Sequence, residues 1–469
     1  MQLGLFNTID RETRSIRLVP VVNDRRFSHT WVIGKTGTGK STALERWAID
    51  DMLSGDGLAF FDPHGDAVEA ILRHAPRRRR SDIVLFNPAE AAIGFNAFDH
   101  VPEERKPFVA SALVDTVKNL WSPGGFPTPA LDQFLYNGAR ALMDIDDGTL
   151  FGLKFLLTSR SYRRRVVARI KDPVIADFWE TDFEEHMPER EQRERTLSTL
   201  NRIGALIADP LIRAVIAQPR NRLDFSAMMA GGQVFLAALP QGRLGLEKSA
   251  LIGSLLMTQL HLAALGRGSE PMQSEQPSDP RMQRVYTSQG GAPSSPQGEH
   301  SASRQSAADA AAPLKPFHLY VDECHQFGAT TLAEMLSGIR KFGVSMVLAN
   351  QYLAQLPPSL KSALIGSVAT TVAFRIGVAD AAEIEPEFRL KNDDVSLTEL
   401  APFQACVRTG TRTLLLSMPE TDAPVYTSAP QRIRRFMTSR YAMPRASIDK
   451  RIERFIGNVS GQIRTFSRM

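Results

Sequence analysis

"GKTGTGKST", Gly34 to Thr42, decides the fold. Residues 34–41 satisfy G-x-x-x-x-G-K-[ST] at every constrained position, between the apolar run "HTWVIG" and the helix-like "STALERWAIDDML". Strand, glycine-rich loop and helix in that order are the context of a phosphate-binding P-loop. Gly34, Gly37 and Gly39 permit backbone geometry and close approach that a Cβ would block. Free N–H groups and a helix N-terminus then favour an anion. The whole loop, including Lys35, Thr36, Thr38 and Thr42, is expected to cradle ATP. Lys40 is expected to reach the β and γ phosphates, and the Ser41 hydroxyl to help hold Mg²⁺.

Length and composition bound the rest. A chain of 469 residues exceeds one ordinary core, so one large domain with insertions, or two to three domains, is expected. Two cysteines, Cys324 and Cys406, without C-x-x-C spacing support neither a disulfide framework nor a zinc site and point to a reducing compartment. No apolar run reaches the roughly 18 residues of a membrane span. The best, "ALIGSLLMTQLHLAALG" (250–266), is broken by Ser254, Thr258, Gln259 and His261 and reads as a buried helix. The N-terminus lacks the order of a signal peptide, and a cytoplasmic protein is expected, recruited to the inner membrane by partners if at all. Net charge is +5, but residues 431–469 alone carry ten Lys or Arg against Asp449 and Glu453. "RRRR" (77–80) and "SRSYRRRVVARIK" (159–171) add further basic clusters, which suit a phosphate backbone or a solvated helix face.

Short runs rich in Val, Ile, Leu and Phe read as buried strands at 29–34, 57–62, 82–86, 233–239, 317–322, 344–350 and 369–375. Helix-like segments between most of them predict an α/β, RecA-like core with a mainly parallel sheet. "QACVRT" (404–409) and "TLLLSM" (413–418) predict a closing hairpin. Two segments interrupt the alternation. Residues 103–227 hold amphipathic, strand-free sequence and predict an all-helical insertion, leaving 1–102 and 228–430 as a discontinuous core. Residues 268–315, rich in Ser, Gln, Pro, Gly and Ala, predict a disordered linker. The basic tail, 431–469, predicts a short helix capped by Ser447, with Ile448, Ile452, Phe455 and Ile456 on one face.

A P-loop that hydrolyses ATP needs an acidic partner at the end of an apolar strand, and "FHLYVDECHQF" supplies one. Asp322 is expected to help hold Mg²⁺, and Glu323 to orient or deprotonate the attacking water. A carboxylate pair here favours hydrolysis with turnover over nucleotide storage. Cys324 and His325 do not read as metal ligands, because neighbouring residues at a strand end cannot easily face one ion. His64 in "FDPHGD" reads as a hydrogen-bonding loop residue. About 280 residues separate Lys40 from Asp322, so the helical segment and the linker lie between the two half-sites.

"WVIGKTGTGKST", "GLAFFDPHGD", "DIVLFNP", "YVDECHQF" and "ANQYLAQLP" together resemble the HerA/FtsK-type ATPases, and among them the DNA-binding ATPases of type IV secretion and conjugative transfer, the coupling proteins. The resemblance covers most of residues 28–428. It implies hexameric rings that hydrolyse ATP between subunits and move DNA through a central channel. It implies a polar sensor at Gln351 and an arginine finger for the neighbouring subunit at Arg340, with Arg375 as the alternative. The helical insertion resembles the domain that coupling proteins place on one face of the ring. Two departures are visible: no transmembrane run like that of membrane-bound coupling proteins, and only about 28 residues before the first core strand, where HerA-type helicases carry a barrel. DNA and copies of the chain itself are thus the expected partners, with secretion or DNA-processing proteins beside them. The alternatives are an assembly ATPase that contacts protein rather than DNA, and a nucleotide-gated component of a DNA-processing or defence complex.

Overall fold

Both faces of the apolar runs are buried, as a parallel sheet covered by helices requires. The computed structural model describes residues 2–9, 16–22, 25–121, 128–267, 314–389, 396–419 and 421–460. Except for Leu314 and Lys315, the expected linker 268–315 lies outside them. The strands are β1 (Gln2–Ile9), β2 (Ile16–Val22), β3 (Thr30–Ile33), β4 (Gly57–Asp62), β5 (Ile83–Phe86), β6 (Val234–Ala238), β7 (Phe317–Val321), β8 (Val344–Asn350), β9 (Thr370–Ala373), β10 (Gln404–Thr409) and β11 (Arg412–Ser417). They form one mixed sheet in the order β2-β1-β11-β10-β9-β3-β8-β7-β4-β6-β5. From β9 to β5 all neighbours are parallel, with Ile33 level with Asn350 on one side and Ala373 on the other. β10, β11, β1 and β2 then extend the sheet antiparallel. The hairpin at 404–417 forms as expected; β1 and β2 were not foreseen, since their sheet partner, β11, lies some 400 residues further along.

Between residues 103 and 231 every described element is helical. Local sequence starts several of these helices. Asp172 and Asp209 each precede a proline at the first helical position and accept hydrogen bonds from the N–H groups that the new turn leaves free. The helix Leu246–Gly266 has the length and apolarity of a membrane span, yet 78% of its apolar stretch is buried in the fold. Its Ser249 hydroxyl donates to the Leu239 carbonyl, and Ser254 and Thr258 donate back along the helix, so none of the three is a buried orphan.

The C-terminal segment forms two helices, Ala429–Tyr441 and Arg445–Ser460, rather than one short one. Because the second begins at Arg445, Ser447 sits inside its first turn and is not a cap; its N–H donates to the Pro444 carbonyl. Ile448, Ile452 and Phe455 face inward as expected, whereas Ile456 is exposed. Phe455 packs against Phe151, Phe155 and Tyr162 of the helical segment. Arg434, on the first helix, bridges Glu69 and Glu90 of the core. The tail therefore ties the helical segment to the sheet.

Helix α1 (Lys40–Ser54) runs back along β7 from the P-loop, and its far end is fixed by charge. Arg26 pairs with both carboxylate oxygens of Asp51, and the Tyr320 hydroxyl donates to Asp51 Oδ2 at 2.5 Å. All three side chains are buried, so each depends on the others for solvation. Asp51→Ala is expected to cost about 3–5 kcal/mol in chemical denaturation, because it strands a buried guanidinium. Tyr320→Phe, which removes one hydroxyl, is expected to cost only about 1–2 kcal/mol. Equal losses would contradict this charge arrangement.

His29, just before β3, is buried at a backbone φ of 62°, and its Nδ1 accepts from the Met346 N–H. Burial, reinforced by the nearby positive Arg340, lowers its pKa to about 4. The unfolded chain binds this proton below about pH 6.5, so the group's stabilisation is complete above that pH and is lost as pH falls towards 4. At pH 5 the loss is about 2 kcal/mol relative to pH 8. His29→Asn removes the proton site, and the pH slope is read rather than the absolute stability because φ 62°, ψ 160° strains either residue. Its stability is expected to fall less between pH 8 and pH 5 than that of the wild type; parallel acid slopes would exclude His29 as a source.

Candidate nucleotide site

The predicted half-sites meet at the C-terminal ends of β3, β7 and β8. β8 is the shared neighbour of β3 and β7, so the loop after β3 and the acidic pair after β7 face one another across it. The glycines in the loop have separate reasons. Gly37 and Gly39 sit at φ 76° and 108°, and a Cβ on Gly34 would come within 2.6 Å of Phe374 Cβ. The Thr38 hydroxyl donates to the Lys35 carbonyl at 2.7 Å, and the Lys35 N–H to the Arg375 carbonyl at 2.9 Å, which shapes the turn from both sides. Lys35, Thr36, Gly37, Ser41 and Thr42 are exposed at the mouth, and α1 starts at Lys40 with its N-terminus towards the loop.

Lys40 is only 5% exposed, and its Nζ lies 3.5 Å from Asp322 Oδ1 and 3.3 Å from Glu323 Oε1. The Ser41 hydroxyl donates to Asp322 Oδ2 at 2.8 Å. Gln351 Nε2 donates to Glu323 Oε1 at 2.9 Å, while the Gln355 side-chain Oε1 accepts from the Gln351 backbone N–H at 2.9 Å and steadies the turn. Glu323 itself is held at φ 48°, a left-handed conformation that is uncommon outside glycine and concentrates at functional positions. This turn brings its carboxylate beside Lys40. Ser41 and Asp322 offer adjacent oxygen donors, which is the chemistry Mg²⁺ selects.

Two further carboxylates stand nearby. Asp62, ending β4, accepts from the N–H groups of His64 and Val68, and burial raises its pKa. The loop bond expected of His64 thus comes from its backbone; its side chain is exposed. Glu45, one turn beyond Ser41 on α1, has its pKa raised to about 7, first by burial and then by Asp62. No motif marks Glu45, because its setting is made by β4 and not by its own neighbours.

Cys324 is fully buried, and burial raises its thiol pKa and disfavours the thiolate. His325 Nδ1 lies 3.6 Å from Glu323 Oε2, and burial lowers its pKa. Among the described residues, Asp51, Asp56 and His318 bring three ligand-type atoms within 4.8 Å of one another, but Arg26 already neutralises Asp51.

The two arginines fall at opposite ends of the sheet. Arg340 is exposed and lies near His29, before the N-terminal end of β8. A seven-residue strand separates it from Gln351, about 20 Å at the usual strand rise. Arg340 is thus remote from the P-loop of its own chain. Arg375 is half-buried beside that loop.

Known proteins match the chain in part of its sequence and in its fold. A family model described as "Type IV secretory system Conjugative DNA transfer" matches residues 9–200. No curated protein matches the chain in sequence. Among solved structures, the plasmid coupling protein TrwB with ADP and Mg²⁺ is 15% identical at a TM-score of 0.55, over 88% of this chain and 90% of that one. TrwB with a non-hydrolysable ATP analogue gives 15% and 0.56, over 92% and 97%. VirB4 of Thermoanaerobacter pseudethanolicus gives 14% and 0.56, over 90% and 96%. In sequence over residues 9–200 the chain is similar to the family so described, and in fold over nearly its whole length it is similar to TrwB and VirB4.

Proposed function

We propose that the chain is a Mg²⁺-dependent ATP hydrolase that moves DNA in conjugative or related transfer, working as a ring of copies, with six the number the family resemblance suggests. The observation that carries this reading is the convergence of Lys40, Ser41, Asp322, Glu323 and Gln351 at one end of the sheet. In this reading the P-loop N–H groups and Lys40 neutralise the β and γ phosphates. Ser41 and Asp322 would hold Mg²⁺, which would supply positive charge against the phosphates. Glu323 accepts a proton from the attacking water, and Gln351, bonded to that carboxylate, reports whether the γ phosphate is present.

TrwB, the coupling protein with the same fold, has been captured with ADP and Mg²⁺ and with an ATP analogue, which supports ATP and Mg²⁺ as the ligands. The family match on conjugative DNA transfer supports DNA as the partner. The same proposal takes 103–227 as a helical unit set into a core of 1–102 and 228–430, and places the protein in the cytoplasm, meeting the membrane through partners.

Glu323→Gln is expected to bind ATP and lose turnover by about 100-fold or more, since only proton acceptance is removed. Lys40→Ala is expected to lose both affinity and turnover. Single- or double-stranded DNA should raise steady-state ATPase, less so at high salt because phosphate contacts are screened. A Glu323→Gln variant that hydrolyses normally sinks the assignment of the acidic pair; DNA without effect at either salt sinks the DNA motor and favours a protein-contacting ATPase.

Arg340, remote from its own loop, fits a residue that acts on the neighbouring copy. Arg340→Ala should bind ATP normally yet hydrolyse slowly. Mixed with Glu323→Gln subunits, it should recover activity in proportion to the interfaces that pair intact Glu323 with intact Arg340. Normal hydrolysis by Arg340→Ala alone would transfer the role to Arg375.

A further inference from the structure

We infer that Phe403 is the platform on which the base of the bound nucleotide stacks. This rests on the reading of the P-loop as a nucleoside triphosphate site and adds the subsite for the base. Phe403 has a backbone φ of 62°, a left-handed conformation that a bulky aromatic residue rarely adopts. It is held there by two backbone bonds: its N–H donates to the Thr38 carbonyl at 2.9 Å, and its carbonyl accepts from the Met418 N–H at 2.8 Å. The first of these bonds is to the P-loop itself. The ring does not serve the core, since Phe403 is 42% exposed. Its Cδ1 stands 2.8 Å from where a Cβ on Gly39 would be, so the ring lies directly on the loop turn before Lys40. A strained, exposed aromatic side chain fastened to a phosphate loop is poorly explained by packing. Strain of this kind collects where a ligand is bound.

Topology puts Phe403 on the correct flank. Lys40 and Glu323 meet on the side of β8 and β7, which marks where the γ phosphate reacts. The base sits at the other end of the molecule and must point away from Glu323. The opposite flank of β3 is β9 and then β10. β10 is antiparallel to β9, so its first residue, Gln404, lies at the same end of the sheet as the P-loop, with Phe403 just before it. Tyr352 is also exposed, but it follows Gln351 on the Glu323 side. Stacking uses the π face that every base presents, so the site is expected to take adenine and guanine nucleotides alike.

The test measures dissociation constants for ATP, GTP and inorganic tripolyphosphate, each with Mg²⁺, together with melting temperatures. Phe403→Ala is expected to weaken ATP and GTP about tenfold and to leave tripolyphosphate unchanged. Phe403→Trp should stay within about twofold of the wild type for all three, because it keeps a stacking face. Phe403→Gly should weaken ATP as alanine does while melting no lower than the wild type, since glycine relieves the left-handed backbone. Two outcomes overturn the platform: unchanged ATP affinity in Phe403→Ala, or equal weakening of ATP and tripolyphosphate, which would make the ring a prop of the loop. Loss of self-association in Phe403→Ala with intact ATP affinity would also overturn it and assign the ring to a second copy. A wild type that binds neither ATP nor tripolyphosphate overturns the reading of the loop, and the platform with it.

Discussion

A buried ammonium must have anionic company, and Lys40 obtains it from Asp322 and Glu323, 282 and 283 residues further along the chain. Without those carboxylates the cost of removing Lys40 from water would be several kcal/mol. The requirement reaches through the topology. β3 and β7 must both neighbour β8, all three must run parallel, and everything between Lys40 and Asp322 must leave and return without disturbing that order. The helical segment is accommodated on those terms.

The same strand holds both ends of α1. Lys40 and Asp51 are eleven residues apart, about three helical turns, so they project from one face of the helix. Along β7, His318, Tyr320 and Asp322 project from one face because strand side chains alternate. The result is a ladder: Asp322 meets Lys40 and Ser41, Tyr320 meets Asp51, and His318 lies 3.3 Å from Asp56 just past the helix end. In the proposed mechanism, this fixes the phosphate loop relative to the acidic pair by polar contacts at three levels, with the apolar packing of Leu44, Trp47 and Ala48 on the same helix. A shift of α1 at the loop is therefore opposed at its far end.

The C-terminal helices add a second constraint. Arg434 is anchored to the core through Glu69 and Glu90, and Phe455 enters an aromatic cluster of the helical segment. The basic run, whose spacing of Ile448, Ile452 and Phe455 already reads as an apolar helix face, buries that face as folded. Apart from Arg434 most of its charges face outward, and its few apolar side chains join two parts of the chain that are distant in sequence.

The sequence alone determined the P-loop, the strand runs and the acidic pair, because each is a local pattern: glycines where backbone geometry demands them, apolar residues where both strand faces are buried, carboxylates where a strand ends. It also marked Gln351 through resemblance. It did not reveal β1 and β2, whose place depends on pairing with β11 at the far end of the chain. Nor did it give a role to Glu45, Tyr320 or Phe403, although Tyr320 stands within "YVDECHQF". Their settings come from elements far away in sequence: β4 beside Glu45, α1 beside Tyr320, the phosphate loop beneath Phe403. Local patterns fix which groups exist. Burial, positive φ and the partner across the sheet arise only when the strands are ordered, so tertiary structure alone decided which of those groups work together.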